Sequence, residues 1–260
     1  MRATVSEARH AGNRGSPQRA RRAAPGAPAR LAIRTPWQTA PTIIGAERAV
    51  LKLDRDLPAR WHALARGWGS VGAAYLLAAL AATGAAHPLH ESALDAAVPF
   101  APWAVWAYLS FFAFVPLGYL AAPTPRLSRL ERAMQSCALA AAIVFLAWPT
   151  TVALAPPLAA SGAAAWAMDL VRQVDSPRNC LPSLHAALTL LTVCAVAQRR
   201  RPWRTLAVAS WGAAIVAAIV MTRRHLAVDV GAGLALAAAA WAAVPRGRAV
   251  AARHVETADA

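Results

Sequence analysis

NCLPSLHAALTLLTVCAVAQ (residues 179–198) is an apolar stretch with a polar mouth: asparagine, proline, serine and histidine lead into a run without a single charge. A second stretch repeats the pattern. TRRHLAVDVGAGLALAAAAWAAV (residues 222–244) opens on Arg223, Arg224 and His225, carries Asp229 four residues on, and then turns entirely apolar. Four residues is one helical turn, so His225 and Asp229 share a helix face. Two histidines and a carboxylate beside membrane-grade segments are costly to bury, which marks both islands as a functional site.

Working outward from them, apolar runs fall at about 69–86, 102–122, 136–155, 183–198, 205–221 and 226–244. Flanking residues bring the shorter ones toward the ~20 residues of a spanning helix. The expected fold is all-α: a polytopic membrane protein built as a six-transmembrane-helix bundle over residues 69–245. Trp103, Trp106 and Tyr108 open the second run as an interfacial aromatic belt would. Residues 46–68 mix charge with apolar side chains and read as a juxtamembrane helix broken near Pro58. Residues 1–45, rich in Arg, Ala, Pro and Gly, read as a disordered basic tail, and residues 246–260 as a short C-terminal tail. In the loop after the first run, His87, His90, Glu91 and Asp95 read as solvated.

Composition agrees with this class. The chain is 58% hydrophobic and 15% charged, with a mean hydropathy of +0.38. The net charge of +15 suggests nucleic acid at first, but no aromatic-interleaved basic face accompanies it, so no nucleic-acid partner is expected. Placement explains the charge better. If six helices alternate, all 27 Lys+Arg except Arg172, Arg178, Arg223 and Arg224 fall on one side. By the positive-inside rule both termini are then cytoplasmic, in a plasma (inner) membrane of bacterial type, and both islands reach the extracytoplasmic face. Cys137, Cys180 and Cys194 follow no metal or CxxC spacing, and neither a metal nor another cofactor is expected.

The islands suggest phosphate chemistry. Pro182 suits the first turn of a helix, which puts Ser183 and His185 among free N–H groups that favour an anion. Asp229 can hold one nitrogen of His225 and leave the other as nucleophile or base. Arg223 and Arg224, with Arg178 before the first island, are candidate phosphate ligands.

NCLPSLHAA followed by RHLAVDVGAG resembles the type 2 phosphatidic acid phosphatase superfamily, whose second motif is PSGH-like and whose third ends in H-x-x-x-D. Leu184 in place of Gly, and the wording NCxPSLHA, are most similar to the inositolphosphorylceramide synthase branch. The resemblance covers roughly residues 67–245. It implies a metal-independent reaction: His225 attacks a lipid phosphate to form a phosphohistidine, Asp229 orients it, His185 protonates the leaving group and then activates water or an alcohol, and Ser183 helps hold the phosphate. Two departures stand out. The superfamily's first motif, Lys with Arg-Pro six residues later, is absent, and only WPTTVALAPP (148–157) occupies its place; where the third motif carries arginine, this chain has Ile219. The functions in view are a lipid phosphatase or phosphotransferase, an inositolphosphotransferase acting on a lipid alcohol, and a non-catalytic membrane protein that binds lipid phosphate.

Overall fold

The computed structural model describes residues 43–152 and 162–245, with side chains from residue 56 onward. The expected basic tail before them and the tail of residues 246–260 lie outside the described residues, apart from the start of the first helix.

Nine helices and one small strand pair make up the described residues. In chain order they are α1 (Ile43–Ala81), β1 (His87–Leu89), α2 (Ala93–Ala97), α3 (Val105–Leu109), α4 (Phe111–Ala121), α5 (Thr124–Ala147), β2 (Thr150–Val152), α6 (Ala163–Val174), α7 (Leu184–Val196), α8 (Pro202–Met221) and α9 (Ala227–Ala243). A 3₁₀ turn at Pro102–Ala104 leads into α3 and α4, so that Pro102–Ala121 reads as one span. Among the described residues three helices are long and apolar enough to cross a membrane: Pro102–Ala121, Thr124–Ala147 and Pro202–Met221. The other apolar runs appear as part of α1 and as the shorter α7 and α9, which leaves three spans by length rather than six. Exposed Leu76, Leu80, Leu139, Ile143, Trp203 and Leu206 give the bundle an apolar exterior. In water so many outward apolar side chains would be an aggregation liability; in lipid they are solvated.

The centre of the bundle is α7, which packs against α4, α5, α8 and α9. Its sequence predicts that position, because a helix that is apolar all round has no face to offer water. Thr189 and Thr192 do not interrupt it, since their hydroxyls donate to the carbonyls of His185 and Leu188 four residues back. Small residues set the spacing of its neighbours. A Cβ on Gly118 would lie 2.3 Å from Thr192 Cγ2, so α4 approaches α7 as closely as it does only with glycine there.

At one end of the bundle three arginines satisfy helix C-termini. Arg60 donates to the carbonyls of Tyr119, Leu120 and Ala122 at the end of α4. Arg126 donates to those of Cys194, Ala195 and Ala197 at the end of α7. Arg129 reaches Trp241 O near the end of α9 and stacks 4.2 Å from that indole's centroid. Cations belong there, because the last carbonyls of a helix are unpaired and carry the negative end of its dipole.

The opposite end holds the polar islands, and the sequence reading needs correction in four places. The chain is not wholly helical: β1 and β2 pair in parallel, His87 with Thr150 through Leu89 with Val152, and Thr150 also bridges Asn179. Three-residue strands have no periodicity to read. Helix α6 fills the gap between the third and fourth apolar runs; it is a short amphipathic helix that buries Ala167, Met168 and Val171. Pro58 does not break α1. Asp56 accepts from Thr124 Oγ1, and Arg60 binds the end of α4, so the chain is tied on both sides of the lost backbone bond. Pro182 precedes the first turn of α7 instead of sitting in it, because Ser183 takes the N-cap position. Tyr108 is no belt residue: Trp103 and Trp106 are exposed, but Tyr108 is buried and hydrogen-bonded.

Candidate active site

Ser183 ends the loop before α7 and caps the helix with its own hydroxyl, which accepts from Ala186 N. Its backbone N–H donates to Asp229 O at 3.0 Å, which fastens the first island to the first turn of α9. The two backbones meet this closely because residue 233 is glycine. A Cβ there would lie 2.2 Å from Ser183 O. Ser183 and His185 of one island and His225 and Asp229 of the other are thereby brought together, and the two imidazole centroids lie 5.7 Å apart.

The second island owes its shape to the end of α8. Arg224 N donates to Ile219 O and Arg223 N to Val220 O, the paired bonds of a Schellman turn, with Arg223 at the left-handed position (φ 56°). That conformation costs a non-glycine residue about 1–2 kcal/mol. The Arg223 side chain holds it by donating to Glu91 Oε1, Asp95 O and Val98 O. His225 N also donates to Ile219 O. Ile219 thus supplies no charge where the superfamily motif has arginine, but its carbonyl shapes the turn.

His225 Nδ1 lies 2.7 Å from Asp229 Oδ2, and both side chains are buried. Asp229 Oδ1 accepts from Val230 N. A carboxylate on Nδ1 fixes the proton there and leaves Nε2 with its lone pair. Leu226 cannot cap α9, and Asp95 does so from a distance: its Oδ1 accepts from Ala227 N at 2.6 Å while Oδ2 accepts from Ser92 N and Oγ. Burial pushes the Asp95 carboxyl up. The Ser92 and Ala227 bonds and nearby Arg223 outweigh it and hold the group below its ordinary value. Sequence reasoning left Asp95 and Glu91 in a solvated loop; they brace the second island instead, and only the capping pattern Ser92-x-x-Asp95 signalled order.

His185 faces a cluster that the motifs did not reveal. Its Nε2 is 3.0 Å from Tyr108 Oη, which donates to Asp175 Oδ2 at 2.5 Å. Tyr75 donates to the other carboxylate oxygen at 3.2 Å. Arg224 Nη2 lies 3.4 Å from Asp175 Oδ2, and its buried Nε has no hydrogen-bond partner among the described residues. Burial alone would raise Asp175, but neighbouring His185, the Tyr108 bond and Arg224 together hold its carboxyl below the ordinary value. The phosphate-ligand candidates therefore separate. Arg224 enters the site, whereas Arg178 donates to Ala82 O and Arg223 to the loop described above.

A small pocket of about 20 Å³ is lined by His185, His225, Arg224, Asp175, Asn179 and Cys180, among others. It is room for roughly one water. Val152 of β2 also lines it, so the described part of the segment that takes the first motif's place reaches the site without a basic group. Burial pushes the Cys180 thiol up to about 12. The pocket shares His185, Leu184, Tyr75 and Asp175 with a groove of about 560 Å³ whose outer walls are Trp68, Val71, Leu76, Leu80 and Phe112.

Comparison with curated proteins and with solved structures gave no match. The family model of the PAP2 superfamily matches residues 74–243, a stretch that runs from within α1 to the end of α9 and takes in both polar islands. On that match the chain belongs to the PAP2 superfamily, whose members are in general phosphatases acting on phosphate esters, and it carries the apolar helices of a membrane protein.

Proposed function

We propose that the chain is a membrane lipid phosphatase or phosphotransferase that works through a phosphohistidine on His225, with the six apolar segments in the bilayer and both islands at the extracytoplasmic face. The observation that carries this reading is the buried His225–Asp229 pair at 2.7 Å, facing His185 and Arg224 across one pocket. Asp229 holds the Nδ1 proton, so Nε2 of His225 attacks phosphorus. His185 gives a proton to the departing alcohol oxygen and takes one from the incoming water or alcohol. Arg224 meets the phosphate oxygens, and the α7 N-terminus adds the positive end of its dipole. The apolar groove that begins at His185 suits an acyl or prenyl chain.

The charge of the pocket favours headgroup transfer over hydrolysis of a monoester. Among the described residues Arg224 is the single arginine lining it, and Asp175 already offsets that charge. A phosphomonoester carries about −1.5 to −2 at pH 7, whereas a phosphodiester carries one charge and needs less compensation. An inositolphosphotransferase, moving phosphoinositol to a lipid alcohol, is one reaction of that diester kind. The family match reaches the superfamily and not a branch.

The test uses the full chain purified in detergent, offered phosphatidate and phosphatidylinositol with a lipid alcohol as acceptor and with EDTA present. Turnover that resists EDTA and disappears in His225→Ala is expected, with a drop of several orders of magnitude as for loss of other covalent nucleophiles. Turnover that survives both His225→Ala and His185→Ala would refute the mechanism. Phosphate-analogue binding without turnover on either lipid would make the protein a non-catalytic phosphate binder. Products separate the remaining readings: a new phosphoinositol lipid marks transfer, and free phosphate marks hydrolysis.

A further inference from the structure

We infer that Tyr108 and Asp175 are a positioning pair that fixes the tautomer and direction of His185, and so decide which of its nitrogens handles the proton in the reaction proposed above. The inference rests on that reading of His185 as the acid–base group. It starts from hydrogen accounting. A tyrosine hydroxyl has one proton, and Tyr108 spends it on Asp175 Oδ2 at 2.5 Å. What Tyr108 then offers His185 Nε2, 3.0 Å away, is an oxygen lone pair. Nε2 must therefore carry hydrogen, and neutral His185 is the Nε2–H tautomer. Nδ1 is the nitrogen left to exchange a proton with the substrate.

The arrangement is held from several sides. Tyr75 donates to Asp175 Oδ1, and Ser176 N donates back to Tyr75 Oη, which keeps the carboxylate plane turned toward Tyr108. Phe111 packs on the imidazole with centroids 4.6 Å apart, and the Tyr108 ring does so at 4.9 Å. Asp175 sits at the C-cap of α6 and Tyr108 in α3, two elements in contact with each other and outside both motifs. Asp175 also touches Arg224, so one carboxylate aligns the proton-transfer histidine and the candidate phosphate ligand.

The proton path balances without either residue changing state. As His225 Nε2 bonds to phosphorus, the P–O bond to the alcohol breaks and its electron pair stays on oxygen, which takes the Nδ1 proton of cationic His185. In the second half, neutral His185 Nδ1 takes a proton from water or alcohol, the new O–P bond forms and the N–P bond breaks. Tyr108 keeps its proton and Asp175 its negative charge throughout, so they act through His185 and not on the substrate.

Two measurements on the full chain test this. The first is the ¹⁵N spectrum of the His185 ring in detergent-solubilised, histidine-labelled protein, with His185→Ala as the assignment control. The parent should show the Nε2–H tautomer, and Tyr108→Phe, which removes the acceptor, should lose that preference. An Nδ1–H tautomer in the parent overturns the inference whether or not the protein turns over any lipid. The second compares leaving groups: a dioctanoyl lipid (phosphatidate or phosphatidylinositol, whichever the parent uses) against the p-nitrophenyl ester of the same phosphoryl group, whose phenolate departs without a proton. Tyr108→Phe should lose roughly 10- to 1,000-fold on the lipid, within the reach of general acid catalysis, and less than about 3-fold in the first turnover of the aryl ester, whose phenolate leaves without an acid. Retained aryl turnover also reports an intact fold. Equal losses on both esters, or none on either, overturn the pairing while leaving the phosphohistidine reading standing. Loss of the reading itself would show as turnover indifferent to His225→Ala.

Discussion

Replacing Gly233 by alanine adds one methyl group at the place where the two islands touch. The new Cβ would lie 2.2 Å from Ser183 O and 3.1 Å from Ser183 C, where ordinary contact begins near 3.4 Å. The shortfall is about 1.2 Å against backbone, which cannot rotate away as a side chain can. Either α9 slides outward or the Ser183 cap opens, and overpacking of this kind costs about 1–3 kcal/mol. Both responses move His225 and Asp229 relative to His185. A displacement near 1 Å in a reacting constellation costs on the order of 100-fold in rate. Gly231 supplies the control, since it lies in the same helix and a Cβ there meets nothing within 4 Å. Gly231→Ala should gain about 0.5–1 kcal/mol from helix propensity. The assay pairs thermal unfolding in detergent with kcat on the lipid substrate. Gly233→Ala should unfold earlier than the parent and turn over about 100-fold more slowly, while Gly231→Ala keeps its rate. A Gly233→Ala protein as stable and as active as Gly231→Ala would refute the argument that close backbone approach builds the site.

Three further outcomes follow from the same geometry. Arg223→Ala loses the three bonds to the first loop and keeps the left-handed strain, whereas Arg223→Gly loses the same bonds but relieves the strain; chemical denaturation should therefore rank Ala below Gly by about 1 kcal/mol. Asp95 has a folded pKa below its unfolded one, so its contribution is present above the ordinary carboxylate range and is lost as pH falls through the folded value. Asp95→Asn should thus cost about 1–3 kcal/mol at neutral pH and show a shallower stability loss on acidification than the parent, measured as unfolding midpoint against pH. Cys180, with its thiol pushed up to about 12 beside the candidate nucleophile, should resist iodoacetamide at pH 7 in the folded protein; rapid modification with loss of activity would show the pocket to be open and its thiol ionised.

What the sequence disclosed depended on how local each signal was. His225 and Asp229 were legible because one helical turn sets their spacing, and the apolar runs were legible because burial in lipid demands length. Ser183 and His185 were legible as a pair, yet their exact helix positions were not, since a proline fits both before a cap and after it. Asp175 and Tyr108 stayed hidden because they meet His185 only through tertiary contact: Tyr108 precedes it by 77 residues and looks like a belt aromatic until its hydroxyl is placed. Asp95 was missed for a related reason. It caps α9, a helix 132 residues away, and nothing near Ala227 advertises that the cap is supplied from outside.

The arginines make the same point from the side of charge. The count alone suggested nucleic acid, and their sidedness suggested an orientation across the membrane. In the folded chain Arg60, Arg126 and Arg129 instead spend their donors on the carbonyl ends of α4, α7 and α9. Arg178 spends one on Ala82 O at the end of α1. Each replaces the water that a helix C-terminus would otherwise need, and a bundle in lipid cannot leave those carbonyls bare. Arg224 departs from this pattern. It points inward, its ion partner is a carboxylate that also serves His185, and its Nε has no hydrogen-bond partner among the described residues. A buried guanidinium left partly unsatisfied is costly unless something arrives to complete it. In the proposed reaction an anionic phosphate oxygen would supply the charge and the acceptor that this donor calls for.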